Sequence, residues 1–210
     1  VKRDVAVYIP QGCGDKDRLG LMVFNDGDGY SGYAPEDQEV MACAVIDTLV
    51  HSGQLPPLVA VFVNAGKEVE GQRHSEYNPI SDAYVRFLLD ELLPDVERRC
   101  ALKISEDPTL RGICGHSSGG LCAFNAAWYR PDSFGRVLSH CGSYGALSGG
   151  HNYPFLVRAV ARKPIRVVLT SGSHDHDQME GNFALCNHMM ADALRWRVYD
   201  YRYDFGHGHH

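Results

Sequence analysis

The sequence predicts an α/β fold, with a mostly parallel sheet covered by helices on both faces, and three observations carry that reading. Short β-branched or apolar runs alternate with longer helical patterns along the chain. Most of those runs are apolar throughout, as expected of strands buried on both faces. At 210 residues, with 44% hydrophobic and 22% charged residues, the chain is long enough for one core and has the ordinary globular balance. One domain over residues 1–210 is expected.

In chain order, "VAVYIP" (5–10), "LGLMVFN" (19–25) and "LVAVFVN" (58–64) read as strands. So do "LRGICG" (110–115), "RVLSH" (136–140) and "IRVVLT" (165–170). "VYDYRYDF" (198–205) alternates polar with apolar and suits a strand nearer an edge. A helix is expected over 35–53, opening on acidic residues and stopping at Gly53. A second covers 81–99, with Tyr84, Phe87, Leu88, Glu91 and Leu92 at helical spacing and a bend or break at Pro94. Segments 118–130 and 180–196 complete the helices. Right-handed crossovers between such elements build a parallel sheet.

Between the strand ending at Gly115 and the helix opening at Ser118 stands only "GHSSGG". A strand that enters a helix through one tight turn forces its apex residue into strained backbone. The positions two residues either side must then be small, or their Cβ atoms would clash. Gly115 and Gly119 occupy those positions around Ser117, giving G-x-S-x-G in the strand–turn–helix context that the pattern requires. Ser117 is therefore the candidate nucleophile. A serine hydroxyl needs a base, and the base an orienting acid. Around such turns the chain order is serine, acid, histidine. Asp175 and Asp177 follow the strand "IRVVLT", and His207, His209 and His210 follow the last one.

Composition excludes other classes. A net charge of −6 without a basic run argues against a nucleic-acid partner. No apolar stretch approaches the roughly 20 residues of a membrane span. The seven cysteines are odd in number, scattered and without a C-x-x-C pair. They read as mostly reduced thiols, leaning toward a cytoplasmic setting, which an upstream export signal would overturn. Oligomeric state is not encoded in any such feature.

Taken together, "VYIPQG", "LMVFNDGDGY", "VFVNAG", "RHSEYNPISDAYVRFLLDELLPDVE", "GICGHSSGGLCAFNAAWYRPDSFGRVLSHCGSY", "GGHNYP" and "YDYRYDFGHGHH" resemble the putative-esterase family of α/β-hydrolases. That family includes esterase D, feruloyl esterases and enterochelin esterases. The resemblance spans nearly the whole chain. It implies an α/β-hydrolase fold and serine-dependent hydrolysis of a small-molecule ester, with no metal and no organic cofactor. On it, Ser117 matches the nucleophile, Asp175 in "GSHD" the acid, and His210 the base of a G-x-G-G-H ending. Here His209 replaces the usual glycine before the base. Family members continue into a further helix where this chain stops. The resemblance therefore implies truncation at the chain's ends, a missing C-terminal helix, and a His210 that is mobile or rotated out of reach.

The oxyanion of a tetrahedral intermediate needs backbone donors. The N–H of Ser118 is one; the loop "NDGDGY" should supply another from Gly27 or, preferably, Asp28, unless it is a simple Asx/Gly turn. "DGDG" lacks the remaining ligands of a calcium loop. "HDHD" (174–177) and "HGHH" (207–210) offer metal-ligand types, but that reading leaves the serine turn unexplained. Arg73 either pairs with Glu76 or meets an anionic substrate, and His151 either lines the pocket or is an idle loop histidine. Phe183 and Trp128 are expected in the core. Rival functions are acyl transfer on the same fold and a catalytically silent binding module. The ester itself is left open.

Overall fold

The computed structural model describes residues 1–11, 18–32 and 40–210. Cys13 and the first residues of the helix expected over 35–53 lie outside them. The strands are β1 (Val5–Tyr8), β2 (Gly20–Asn25), β3 (Leu58–Val63), β4 (Arg111–His116), β5 (Arg136–His140), β6 (Arg166–His174) and β9 (Asp200–His209), with a small hairpin of β7 (Asp177–Gln178) and β8 (Gly181–Asn182). The seven longer strands form one sheet in the order β1-β3-β2-β4-β5-β6-β9. Only β1 pairs antiparallel, with β3; the other pairings are parallel. This is the α/β-hydrolase architecture expected from the sequence.

The helices are α1 (Asp28–Ser31), α2 (Ala42–His51), α3 (Gln72–Tyr77), α4 (Ala83–Phe87), α5 (Leu93–Cys100), α6 (Ser118–Tyr129), α7 (Tyr153–Ala159) and α8 (Phe183–Trp196). Strand periodicity sorts the core onto two faces. Leu21, Val23, Val59, Val61, Val63 and Ile113 pack against helices α3 to α8, together with Leu88, Phe124 and Leu194. Phe24, Leu58, Ala60, Phe62 and Cys114 point the other way, to Tyr30 and to Ala42 and Ile46 of α2. Burying each of the valine, leucine, isoleucine and phenylalanine side chains among them contributes roughly 1.5–3 kcal/mol. Phe183 and Trp128 are core residues, as expected. An apolar cleft remains beside α2, lined by Leu49, Leu55, Leu110 and Leu138 and reaching His140.

Between α4 and α5 the helix widens to a π-turn at Leu88–Leu92. The N–H of Leu93 reaches back five residues to the Leu88 carbonyl, one position before Pro94. Pro94 has no N–H, and the wider turn accommodates its ring where a regular helix would clash. The expected break is thus a local change of register. Helices α3 and α7 stand in segments to which the sequence pattern assigns no element. The second begins with Pro154 in its first turn, a start signal that the tract "GGHNYP" concealed. β9 sits at the sheet edge as its alternation suggests, but runs on to His209 rather than stopping at residue 205.

The order reverses at β2: β3 lies on one side of it and β4 on the other. A crevice opens at the carboxyl ends of strands where an α/β sheet changes direction. The loop after β2 and the turn after β4 both lie there. Among the described residues, no helix is long and apolar enough to cross a membrane.

Candidate active site

Ser117 sits between β4 and α6 with φ 59° and ψ −122°. Such backbone costs a non-glycine residue about 1–3 kcal/mol, and persists only where the surroundings over-determine it. Here they do. A Cβ at Gly115 would lie 2.3 Å from the Gly119 carbonyl oxygen, so only glycine lets the strand and helix approach this closely. The Ser117 N–H donates to the His140 carbonyl at 2.9 Å, and its own carbonyl accepts from Gly120, Leu121 and Ser143 N–H. Buried Asn25 donates to the Gly119 carbonyl at 3.0 Å and accepts from Tyr84, tying the turn to the end of β2. The N–H of Ser118 opens α6, where no intrahelical partner exists and the positive end of the helix dipole lies.

Asp175 follows β6 directly and is 6% exposed. Its carboxylate accepts from Ser171 Oγ at 2.6 Å, from His176 N–H at 2.8 Å and from His210 Nδ1 at 2.5 Å. Burial opposes the charge, but these hydrogen bonds outweigh it and hold the Asp175 pKa below the ordinary carboxylate value. Burial pulls the His210 pKa below the ordinary imidazole value, and Asp175 only partly offsets it. An ionised carboxylate can only accept, so Nδ1 carries the proton and Nε2 is left as the free lone pair. Asp177, by contrast, is exposed in the β7–β8 hairpin.

The expectation of a mobile or displaced His210 is corrected as to its contact with Asp175. β9 pairs with β6 through Ser171↔Phe205, Gly172↔Gly206 and, past an irregularity, His174↔His209. The ladder delivers His210 to Asp175. Its ring stacks on His176 at 3.7 Å, meets Phe183 edge-on and lies 4.6 Å from the His116 ring. His207 and His209 remain exposed: the His207 ring meets Ser173 Oγ at 3.3 Å, and that of His209 packs on His174. On the other side the contact is looser. Among the described residues, the hydrogen-bond partner of the Ser117 hydroxyl is Ser143 Oγ at 3.4 Å, not His210.

The loop after β2 departs from expectation. The Asp28 N–H donates to Asn64 Oδ1 at 3.2 Å, and the Gly27 N–H donates to the Val63 carbonyl, so the preferred second oxyanion donor and its alternative are both engaged in internal bonds. Arg73 does not pair with Glu76. It clamps Asp26 through two 2.8 Å bonds and reaches the His116 carbonyl at 3.4 Å, while Glu76 binds Arg3 at 2.7 Å. Asp26 has φ 53° and lies against Gly119, close enough to the turn for Arg73 to bridge them. That clamp also occupies the carboxylate a calcium loop would need. His151 is exposed on a short 3-10 turn. Neighbouring Gly150 packs on the Ser143 carbonyl, so the turn borders the site from behind Ser143.

Residues that the sequence reading passed over also stand here. Ser143 touches the candidate nucleophile, and its signal was only its place just past β5, the strand beside β4. His116 ends β4, directly before Ser117. Burial, then the neighbouring His210, His140 and Arg73, depress its pKa to about 4, so it is neutral at physiological pH. Cys100, Cys114, Cys122, Cys141 and Cys186 are free thiols.

A family model described as "putative esterase" matches residues 1–210. The chain belongs to that family. It is 29% identical over 192 residues to the Iron(III) enterobactin esterase of Escherichia coli O6:H1, covering 88% of this chain and 45% of the relative. The Iron(III) salmochelin esterase of the same strain is 27% identical over 138 residues, 66% of this chain and 31% of that one. The chain thus spans about half the length, or less, of the curated relatives it matches. The crystal structure of enterochelin esterase from Shigella flexneri superposes with a TM-score of 0.76 at 26% identity, over 99% of this chain and 50% of that one. A ferulic acid esterase structure superposes with a TM-score of 0.76 at 21% identity, over 100% and 86% of the two chains, a likeness of fold.

Proposed function

We propose that the chain is a serine carboxylic-ester hydrolase acting on a small-molecule ester, with residues 1–210 as one α/β-hydrolase domain. The observation that carries this reading is the Asp175–His210 hydrogen bond beside a strained serine apex. Ser117 Oγ attacks the ester carbonyl as His210 Nε2 takes its proton, and Asp175 holds the imidazole tautomer and stabilises the imidazolium. The Ser118 N–H stabilises the oxyanion. His210 then protonates the leaving alcohol, and water repeats the attack on the acyl-enzyme. Before the first step the Ser117 hydroxyl must turn from Ser143 toward His210. Such contacts commonly tighten only when substrate is bound.

The relatives' names make Iron(III) enterobactin and Iron(III) salmochelin the first esters to try. Arg73, a cation at the rim of the turn, and His151 are the proposed substrate contacts. A fluorophosphonate probe tests the chemistry. Peptide mass mapping should find the label on Ser117, with hydrolysis of chromogenic esters lost in proportion to labelling. A folded protein that leaves Ser117 unlabelled would refute the enzyme reading.

A further inference from the structure

The carboxyl edge of β4 and β5 carries a second group of donors. His116 ends β4, Cys141 follows β5, and His210 approaches from β9. One donor atom from each lies within 4.8 Å of the other two. We propose that His116, Cys141 and His210 form a site for a borderline-soft divalent cation, Zn²⁺ above all, and that the bound ion silences the site by occupying His210 Nε2. The silencing rests on the esterase reading above; the binding does not.

The donor chemistry selects the ion. Two imidazoles and a thiolate suit zinc and its neighbours, and not calcium or magnesium. Tetrahedral zinc, with bonds of about 2.0 Å to nitrogen and 2.3 Å to sulfur, needs donors about 3.5 Å apart. Side-chain rotations of roughly an ångström close the observed group to that size. The backbone is already set for it. His116 and His140 are register partners on adjacent strands, so Cys141 stands one residue along from the partner of His116. Cys141 leaves β5 at φ 46°, a left-handed conformation unusual for a residue with a side chain, and its N–H is anchored to the Thr170 carbonyl at 2.8 Å.

Nor is the orientation of His210 accidental for a ligand. A metal-bound histidine characteristically gives its other N–H to a carboxylate, which fixes the tautomer and raises ligand basicity. Asp175 does this on Nδ1. The same hydrogen bond that prepares Nε2 to accept a proton prepares it to accept a cation, and it cannot hold both. Burial, with the Asp175 carboxylate adding to it, raises the Cys141 thiol pKa to about 12, so the sulfur is protonated until an ion arrives. Binding then forms an S–M bond, releases the thiol proton to solvent and moves no electron. The exposed imidazoles of His174, His207 and His209 stand on the same edge but bring no thiol with them.

Cobalt(II) and zinc titrations of the purified chain test this. Cobalt should bind one per chain with a thiolate-to-metal charge-transfer band. The band should vanish in Cys141→Ser and in Cys141→Ala, and cobalt affinity should fall at least about tenfold in His116→Gln. Changing His207 and His209 together to Gln should leave the band in place. Zinc should suppress ester hydrolysis reversibly with EDTA, and the Cys141 and His116 variants, each compared with itself without zinc, should need at least about tenfold more, whereas the His207/His209 variant should need no more than the parent. Thermal melts establish that the variants fold. If no ester is hydrolysed yet the band forms and is lost as stated, the metal site holds and the esterase reading falls. No band in the parent protein, a band that survives in a folded Cys141 variant, or zinc inhibition unchanged in every variant would overturn the proposal.

Discussion

Within the candidate site, Ser117 takes its conformation from the six-residue turn Gly115–Gly120, whereas His210 meets an acid 35 residues away along the chain through the pairing of β9 with β6. Both ends depend on a glycine at a point of backbone contact. A Cβ at Gly115 would meet the Gly119 carbonyl oxygen at 2.3 Å, and one at Gly172 would meet the Gly208 carbonyl oxygen at 2.1 Å. The first contact joins neighbours in one turn of core helix and strand. The second joins a buried strand to the exposed edge of the sheet. A site built this way has one member held by local geometry and another held by long-range pairing, and the two should respond differently to damage.

The largest effect expected is at the local end. Ser117→Ala should lower kcat by roughly 10⁶-fold, because triad members act as a unit. Its melting temperature should stay near that of the parent, since the strained backbone remains. A folded variant retaining a tenth of the rate would remove Ser117 from the mechanism. At the long-range end, Asp175→Asn should cost about 10⁴-fold by leaving the wrong His210 tautomer. Asp177→Asn, at an exposed hairpin residue, should change the rate less than about twofold and stability by about 0.5 kcal/mol or less. A reversal of those two would reassign the acid.

The two glycines sharpen the contrast further. Gly115→Ala should destabilise the fold by about 3 kcal/mol, the upper end of overpacking costs, read as a lowered denaturant midpoint. Gly172→Ala should push the outer strand aside. It should lower kcat/KM by about 10–100-fold through a displaced base, since an ångström of misplacement costs about 10², while the melting midpoint moves less than for Gly115→Ala. Equal stability losses would mean the edge is as integral as the core. The smallest effect concerns pH. His210 must be neutral to accept a proton, and its pKa lies below the ordinary 6.5. With EDTA present, kcat/KM should therefore rise with pH to a half-maximum below 6.5, and a midpoint above it would mean that burial does not govern the base.

The same division explains what the sequence made legible. Strands, the main helices and the Ser117 turn are written in periodicity and in glycine spacing, which are local. Asp175 was separable from Asp177 only by likeness to the family's G-x-x-D. Its burial and three hydrogen bonds come from packing that no spacing reveals. The hold of Asp175 on His210 was missed because a strand's end depends on its partner: the ladder to β6 continues through Gly206 and, past an irregularity, to His209, where composition suggests a loop. Asp28 was misread for a related reason. Its N–H looked available until Asn64, at the end of β3, was folded against it. Arg73 found Asp26 rather than Glu76 because Arg3, distant in sequence, had reached Glu76.

Among the described residues β9 pairs with one strand, β6, and its burial is slight along most of its length. Stability is distributed unevenly in folded chains, and edge elements open at lower free energy than the core they lean on. When the outer strand peels, His210 leaves Asp175 while β2, β4 and α6 stay packed. Heat should therefore silence this molecule several degrees before it melts, and cooling should restore the activity without refolding. Amide exchange would record the same hierarchy, fastest along the outermost strand and slowest around the serine turn.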